Sequence, residues 1–519
     1  MPPSETATFD AAQSAFMRGD LAAAERLCVD VLSRAPGDSR PWSLLSETAL
    51  RRGRPDAAIV AAEKAVALDG RDPMARLMRA KCLALDGRVA EAQEAAELGV
   101  RLAGGSSAAL DGLGAIFSMI GRYDRARDLF QAAVAAAPRD PQPLYNLAAA
   151  ERMMGRLEEA EAHCDQVIAR DRRHALAYYL RADLREQTAD RNHIAEMEAL
   201  LCAGPRNPQS EVLIRFALGK ECEDLGRYAQ AFRHIKAGAE LHRRSLRYDV
   251  GDDVARIDRF IRAKGPFAAA AGGFAGDDPI FIVGLPRSGT TLVERIVAAH
   301  SAVASAGELG AFPAELRKAA GGRDWTDRSD AIDWASLGQA YCRAARQRQP
   351  APSPRLIDKF PGNYLYCGAI QAALPRARII AVRRGPLDSC FSLYKAHFAG
   401  AWPFSYDLDE MATYYAAFRR LMDHWMETLP AQALLEVAYE DIVADFPGTS
   451  RRIVAFLDLP WEDGVLRFHG SPAPSATASA VQVRRPLYAS SVGKWRNYAQ
   501  ELEPLRRRLR QLLPNDAIA

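Results

Sequence analysis

A glycine returns every 34 residues through the first third of the chain, at Gly19, Gly53, Gly87, Gly121 and Gly155. Five positions after each stands an alanine: Ala24, Ala58, Ala92, Ala126 and Ala160. The register blurs near Ala189 and Asp190 and returns as Gly226 with Ala231, while Pro36, Pro73, Pro138 and Pro141 punctuate the intervals. A sustained period of this length is incompatible with one ordinary globular core. It predicts units of two short amphipathic helices joined by a tight turn, where glycine takes up a backbone conformation other residues resist. The small alanine lets the second helix lie close to the first. One such unit cannot bury its apolar face alone, so neighbours stack into a superhelix.

The period, together with Gly121-Arg122-Tyr123, Ala126 and Phe130, resembles tetratricopeptide repeats. The resemblance implies a scaffold whose groove binds a peptide or protein. Repeats are expected over residues 1–245, with the stretch Gln187–Arg206 either a kink or a divergent unit. A helical connector and linker follow over 246–277, and a second domain over 278–519.

From residue 279 the pattern changes. Pro279-Ile-Phe-Ile-Val283 is a short apolar run rich in β-branched residues, as expected of a buried parallel strand. Gly284-Leu-Pro-Arg-Ser-Gly-Thr-Thr291 follows it, then an apolar-periodic helix through Leu292, Val293, Ile296 and Val297. Arg378–Val382 and Ala433–Val437 read as further strands, each after a helical stretch (364–374 and 411–428). The predicted fold is therefore an all-α superhelix followed by a P-loop-like α/β domain with a parallel sheet, its ligand at the strands' carboxyl ends.

The strand–loop–helix unit is a phosphate cradle. Gly284 and Gly289 have the spacing of the nucleotide-triphosphate loop, but Thr290 stands where that loop carries lysine, and the cation is Arg287 instead. Asp358 is the nearest candidate for a metal-holding acid, and Lys359 follows it at once. A P-loop kinase is thereby disfavoured. Charge is nearly balanced, 68 basic against 65 acidic side chains, so no broad basic field for nucleic acid is present. Eight scattered cysteines lack disulfide or metal-ligand spacing, and no run of 18 apolar residues occurs. Both point to a cytoplasmic chain with no membrane segment; a homodimer is compatible with the sequence.

Leu285-Pro-Arg-Ser-Gly-Thr-Thr291 resembles the 5′-phosphosulfate loop of sulfotransferases that use 3′-phosphoadenosine 5′-phosphosulfate (PAPS), nearest to the protein-tyrosine branch. The resemblance implies that Pro286, Arg287, Ser288, Gly289, Thr290 and Thr291 surround the 5′-phosphate, and that no metal is required. It implies that Arg384 and Ser392, after the second strand, grip the 3′-phosphate, and that Tyr439 contacts the adenine end. Ser479, Arg485 and Lys494 match a cofactor-closing segment, in which Arg484 or Arg496 could equally serve. Glu308, in Ser305-Ala-Gly-Glu-Leu309, matches the base that deprotonates the acceptor hydroxyl, with His300 as its rival. Lys359 matches the cation that stabilises the leaving oxygen, work Arg287 can share. The acceptor stays open, with tyrosine in a peptide the first candidate. The alternative from another class is a repeat scaffold carrying a catalytically silent nucleotide-binding domain.

Overall fold

The structure, a computed structural model, describes residues 5–263, 272–276, 278–348, 355–470, 473–474, 477, 481–484, 487 and 491–514. The chain divides into two compact units, Met1–Glu151 and Arg152–Ala519. In the first, helices come in pairs: Glu5–Met17 with Leu21–Arg34, Ser39–Arg51 with Pro55–Leu68, Pro73–Leu85 with Val89–Leu102, and Ser107–Met119 with Tyr123–Ala136.

The periodic glycines sit where each pair turns, with φ from +68° at Gly53 to +83° at Gly155. The amide after the glycine reaches back five residues, as in Arg54 N–H to Ala49 O at 2.9 Å and Arg122 N–H to Phe117 O at 2.8 Å. This closes the helix end in the hydrogen-bonding pattern that only a left-handed residue permits cheaply. The partner alanines, Ala24, Ala58, Ala92 and Ala126, have no exposed surface at all. Asp38, Asp72 and Ser106 cap the following helices through their side-chain oxygens.

The second unit opens with the remaining repeats. Gly226, at φ +70°, turns the helix Pro208–Asp224 into Tyr228–Ser245, and Ala231 is fully buried. Between Gln187 and Arg206 the pattern shortens and kinks: the helix Ala175–Asp183 stops early, Thr188 bridges Arg191, and a nine-residue helix Ile194–Cys202 follows. The next helix pins this kink, Asp224 accepting from Gln187 N–H at 2.8 Å and Glu221 from His193 N–H at 2.6 Å. The repeats between Arg152 and Ser245 share one compact unit with the chain beyond them. Ion pairs such as Arg243–Glu410, at 2.7 Å, tie the two stretches together.

The sheet is wholly parallel, with strands β1 (Ile280–Val283), β2 (Val303–Ser305), β3 (Arg355–Asp358), β4 (Arg378–Arg383) and β5 (Leu434–Ala438) in the order β2-β3-β1-β4-β5. Ile280 and Ile282 pack with Val293, Ile296, Ile380 and Val437 on one face. Phe281 stacks on Tyr341 at 5.3 Å on the other. The sequence predicted three of these strands. β2 and β3 escape the sequence reading because neither shows a continuous apolar run: β2 is three residues ending in Ser305, and β3 is charged at both ends, Arg355 and Asp358. The stretch 364–374 is a 3₁₀ turn, Pro361–Tyr366, running into the short helix Cys367–Ala373. The chain leaves β1 toward β2 and leaves β4 toward β5, so the connections diverge between neighbouring β1 and β4 and open a crevice there. No helix among the described residues is long and apolar enough to cross a membrane.

Candidate active site

Each of the five strands delivers a candidate residue just past its carboxyl end: the 284–289 loop from β1, Glu308 from β2, Lys359 from β3, Arg384 from β4 and Tyr439 from β5. Two glycines allow the first loop its close approach. A Cβ on Gly284 (φ +146°) would lie 2.5 Å from Val382 O, and one on Gly289 (φ +106°) 2.6 Å from the Tyr439 ring. Arg287 holds a left-handed conformation, φ +66°, which a non-glycine residue adopts at some cost. Thr290 and Thr291 then open the helix Thr290–Ala298, whose first-turn amides have no partner within the helix.

The loops after β1, β4 and β5 converge on one cleft. Arg384 donates to Arg287 O at 3.2 Å and to Ser491 O at 2.5 Å, and its guanidinium lies 5.0 Å over the Tyr439 ring. The Tyr439 hydroxyl is 2.6 Å from Ser491 Oγ. Arg287 donates to Gln482 Oε1 at 3.0 Å. Ser392 and Lys494 line the same cleft, as does Lys395, which sequence reasoning passed over. Four cations thus face two carboxylates, Glu223 and Asp388, in the cleft wall.

Ser288 Oγ and Arg384 Nε are both buried with no hydrogen-bond partner among the described residues. An unpaired hydroxyl and an unpaired guanidinium N–H beside helix-start amides are suited to anionic oxygens. The residues present fit a ligand that carries phosphate-type anionic oxygens.

Ser479 and Arg485 lie outside the described residues. Of the alternatives to Arg485, Arg484 donates to Met153 O at 3.0 Å, and Arg496 lies 5.3 Å over the Trp495 ring; neither lines the cleft. Asp388 accepts from Gly493 N–H at 2.6 Å and Trp495 N–H at 3.3 Å, fastening the segment that carries Lys494.

Glu308 and Lys359 form a pair of their own, Lys359 Nζ to Glu308 Oε1 at 2.5 Å. Their exposures differ sharply: 43% for the Glu308 side chain against 1% for Lys359. Glu294, from the helix after the phosphate loop, lies 3.7 Å from the same ammonium and accepts from Ser305 Oγ at 2.5 Å. Sequence reasoning missed Glu294, since one acid in an apolar helix reads as its solvent face. His300 is buried, its Nε2 2.8 Å from Pro460 O and its Nδ1 accepting from Ala302 N–H at 3.1 Å.

Asp358 takes no part in the cleft. Its carboxylate meets the Tyr341 hydroxyl (3.0 Å), Asn363 Nδ2 (3.2 Å) and Leu309 N–H (3.3 Å), which ties the Glu308 loop to β3. Burial pushes its carboxyl up to about 7, against hydrogen bonds from Tyr341, Asn363 and the Leu309 and Phe360 backbone, which pull it down. The folded value exceeds the unfolded one of about 3.9, so folding favours the neutral acid. The stability this provides is present below about pH 4 and is lost as pH rises through about 7. Chemical denaturation at several pH values should show wild type losing a few kcal/mol over that window relative to Asp358→Asn. Parallel pH curves for the two proteins would refute it.

Residues 279–463 match the model of a family described as "Sulfotransferase family", and residues 6–28, 43–107 and 121–184 match models described as "Tetratricopeptide repeat". An uncharacterized protein of Aquifex aeolicus (strain VF5) is 30% identical over 396 residues, 73% of this chain and 52% of that protein. Protein-tyrosine sulfotransferase A of Caenorhabditis elegans is 27% identical over 241 residues, 42% of this chain and 60% of that one. The chain thus spans about half the length of the Aquifex relative. Among solved structures, the sulfotransferase domain of the Synechococcus PCC 7002 olefin synthase covers 43% of this chain and 88% of its own, at 18% identity and a TM-score of 0.33.

Proposed function

We propose that this chain, a tetratricopeptide-repeat protein with a C-terminal domain of the sulfotransferase family, transfers a sulfuryl group from PAPS to an acceptor hydroxyl, tyrosine in a peptide being the first candidate. The observation that carries this reading is the cation-lined cleft at the β1/β4 crevice, where Arg287, Arg384, Lys395 and Lys494 gather and the buried Arg384 Nε has no hydrogen-bond partner among the described residues.

Bound PAPS supplies an activated sulfuryl group whose bridging oxygen leaves with the 5′-phosphate. Pro286, Gly289, Thr290 and Thr291 shape the cradle and aim its amides, while Ser288 adds its hydroxyl. Arg384 and Ser392 hold the 3′-phosphate, Tyr439 flanks the adenine, and Lys494 adds a cation at the same cleft. Glu308 accepts the acceptor's proton as the new S–O bond forms, and Lys359 and Arg287 offset charge on the oxygens of the bond that breaks. The exposure difference supports this division: the carboxylate faces solvent, from which an acceptor arrives, and the ammonium faces inward. His300, committed on both nitrogens, is given no role in proton transfer.

The repeat array is read as presenting a peptide or protein. Seven of the eight cysteines are buried and all are free, which supports a reducing, cytoplasmic setting.

The test is calorimetric titration of the full chain with 3′-phosphoadenosine 5′-phosphate (PAP), with ATP as control. Wild type should bind PAP without metal and in preference to ATP. Arg384→Ala should weaken binding about 10- to 100-fold, the worth of hydrogen bonds to a charged group. No PAP binding, or equal binding of ATP with magnesium, would sink the reading.

A further inference from the structure

Glu223 belongs to the repeat helix Pro208–Asp224, yet its carboxylate stands in the wall of the donor cleft, about one-tenth exposed. Three groups from the C-terminal domain converge on it. Lys395 reaches its two oxygens at 2.9 and 2.8 Å, Lys494 reaches Oε1 at 2.6 Å, and the Tyr498 hydroxyl donates to Oε2 at 2.7 Å. An aromatic cluster fixes this contact from beneath. Phe391 lies 4.4 Å from Tyr498, and Tyr228 and Phe232, from the next repeat helix, lie 5.3 and 6.3 Å from the same ring.

Two ammonium groups gathered this closely repel each other. Burial pushes the Lys395 amine down and Lys494 adds to that, while Glu223 pulls it back up. Burial would raise the Glu223 carboxyl, but the two lysines more than offset this and hold it at about 2. The carboxylate is therefore ionised at neutral pH and pairs with both lysine side chains at once. Lys395 follows Ser392 by three residues at the end of the helix Pro386–Tyr394, so both lie on one helical face and both line the cleft.

We propose that Glu223 is a positioning residue of the donor site, holding Lys395 and Lys494 as a two-ammonium clamp for the donor's 3′-phosphate and so making the last repeat part of that site. This rests on the reading that the cleft takes a 3′-phosphorylated adenosine. The repeats then do more than present an acceptor: a shift of the helix Pro208–Asp224 would loosen the clamp.

The experiment is calorimetry on the full chain with PAP and with 5′-AMP, which lacks the 3′-phosphate. Glu223→Gln should weaken PAP about tenfold or more and leave 5′-AMP within about twofold. Lys494→Met, at a side chain 38% exposed, should give the same loss of selectivity with the melting temperature unchanged. Adding Glu223→Gln to a Lys395→Met/Lys494→Met background should cost nothing further. The inference is overturned if Glu223→Gln binds PAP as wild type does or more tightly, or if PAP and 5′-AMP weaken together, as general damage would produce. If wild type itself binds no PAP, the donor reading falls and takes the inference with it. Wild-type binding with an indifferent Glu223→Gln removes the inference alone.

Discussion

Glu308→Gln is expected to lower sulfuryl transfer by about 10²- to 10⁴-fold, the usual worth of a positioned general base, with PAP affinity kept within about twofold. The substitution is nearly isosteric, and the glutamine carbonyl can still accept from the Lys359 ammonium, so the local structure survives. Backbone contacts also hold the loop: Lys359 N–H donates to Gly307 O at 2.9 Å, Gly307 turns at φ +72°, and Leu309 N–H is bound by Asp358. What is lost is the ability to take a proton. The measurement is single-turnover transfer from radiolabelled donor to a tyrosine peptide, paired with PAP calorimetry. A variant retaining more than a tenth of wild-type turnover would show that the proton leaves by another route. Loss of PAP binding in step with turnover would make Glu308 a donor-site residue instead.

The parts of this molecule legible in sequence are those whose cause is local. The glycine register marks positions where each helix end demands φ > 0, and the alanine register marks positions with no room for a larger side chain. The phosphate loop is legible for the same reason, since strand, turn and helix start adjoin along the chain. β2 and β3 lack such a signal: they are held in place by their neighbours in the sheet rather than by their own pattern. Long-range electrostatics is harder still. Glu223, in Glu221-Cys-Glu-Asp224, reads as the solvated end of a repeat helix, and nothing within a window of ordinary size announces Lys395 or Lys494. Lys494 was found only because its surroundings resemble a family segment, and Lys395, with no such motif around it, was missed. Glu294 was hidden in the same way, its ammonium partner lying beyond two intervening strands in sequence.

Lys359→Met should be as informative as the loss of the base, and for a different physical reason. Its ammonium is 1% exposed and lies between Glu308 and Glu294. On the proposed mechanism, removing it deletes a cation assigned to the leaving oxygen, a loss of about 10²- to 10³-fold in turnover for a preorganised electrostatic contact. It also leaves Glu294, 11% exposed, without its counter-charge, so stability should fall. Combining it with Glu294→Gln should recover stability but not turnover, because the second change removes the stranded carboxylate and restores no cation. Arg287, Arg384, Lys395 and Lys494 all lie on the donor cleft and remain, so PAP should still bind within a few-fold of wild type. That combination, donor binding intact with turnover lost in a stably folded double variant, separates an active transferase from a repeat scaffold that merely retains a nucleotide site. In the scaffold, Lys359 would be one buried ion pair among others and its removal would change only the melting temperature. Full turnover in the double variant would assign the stabilising charge to Arg287, which lies on the cleft and reaches Gln482.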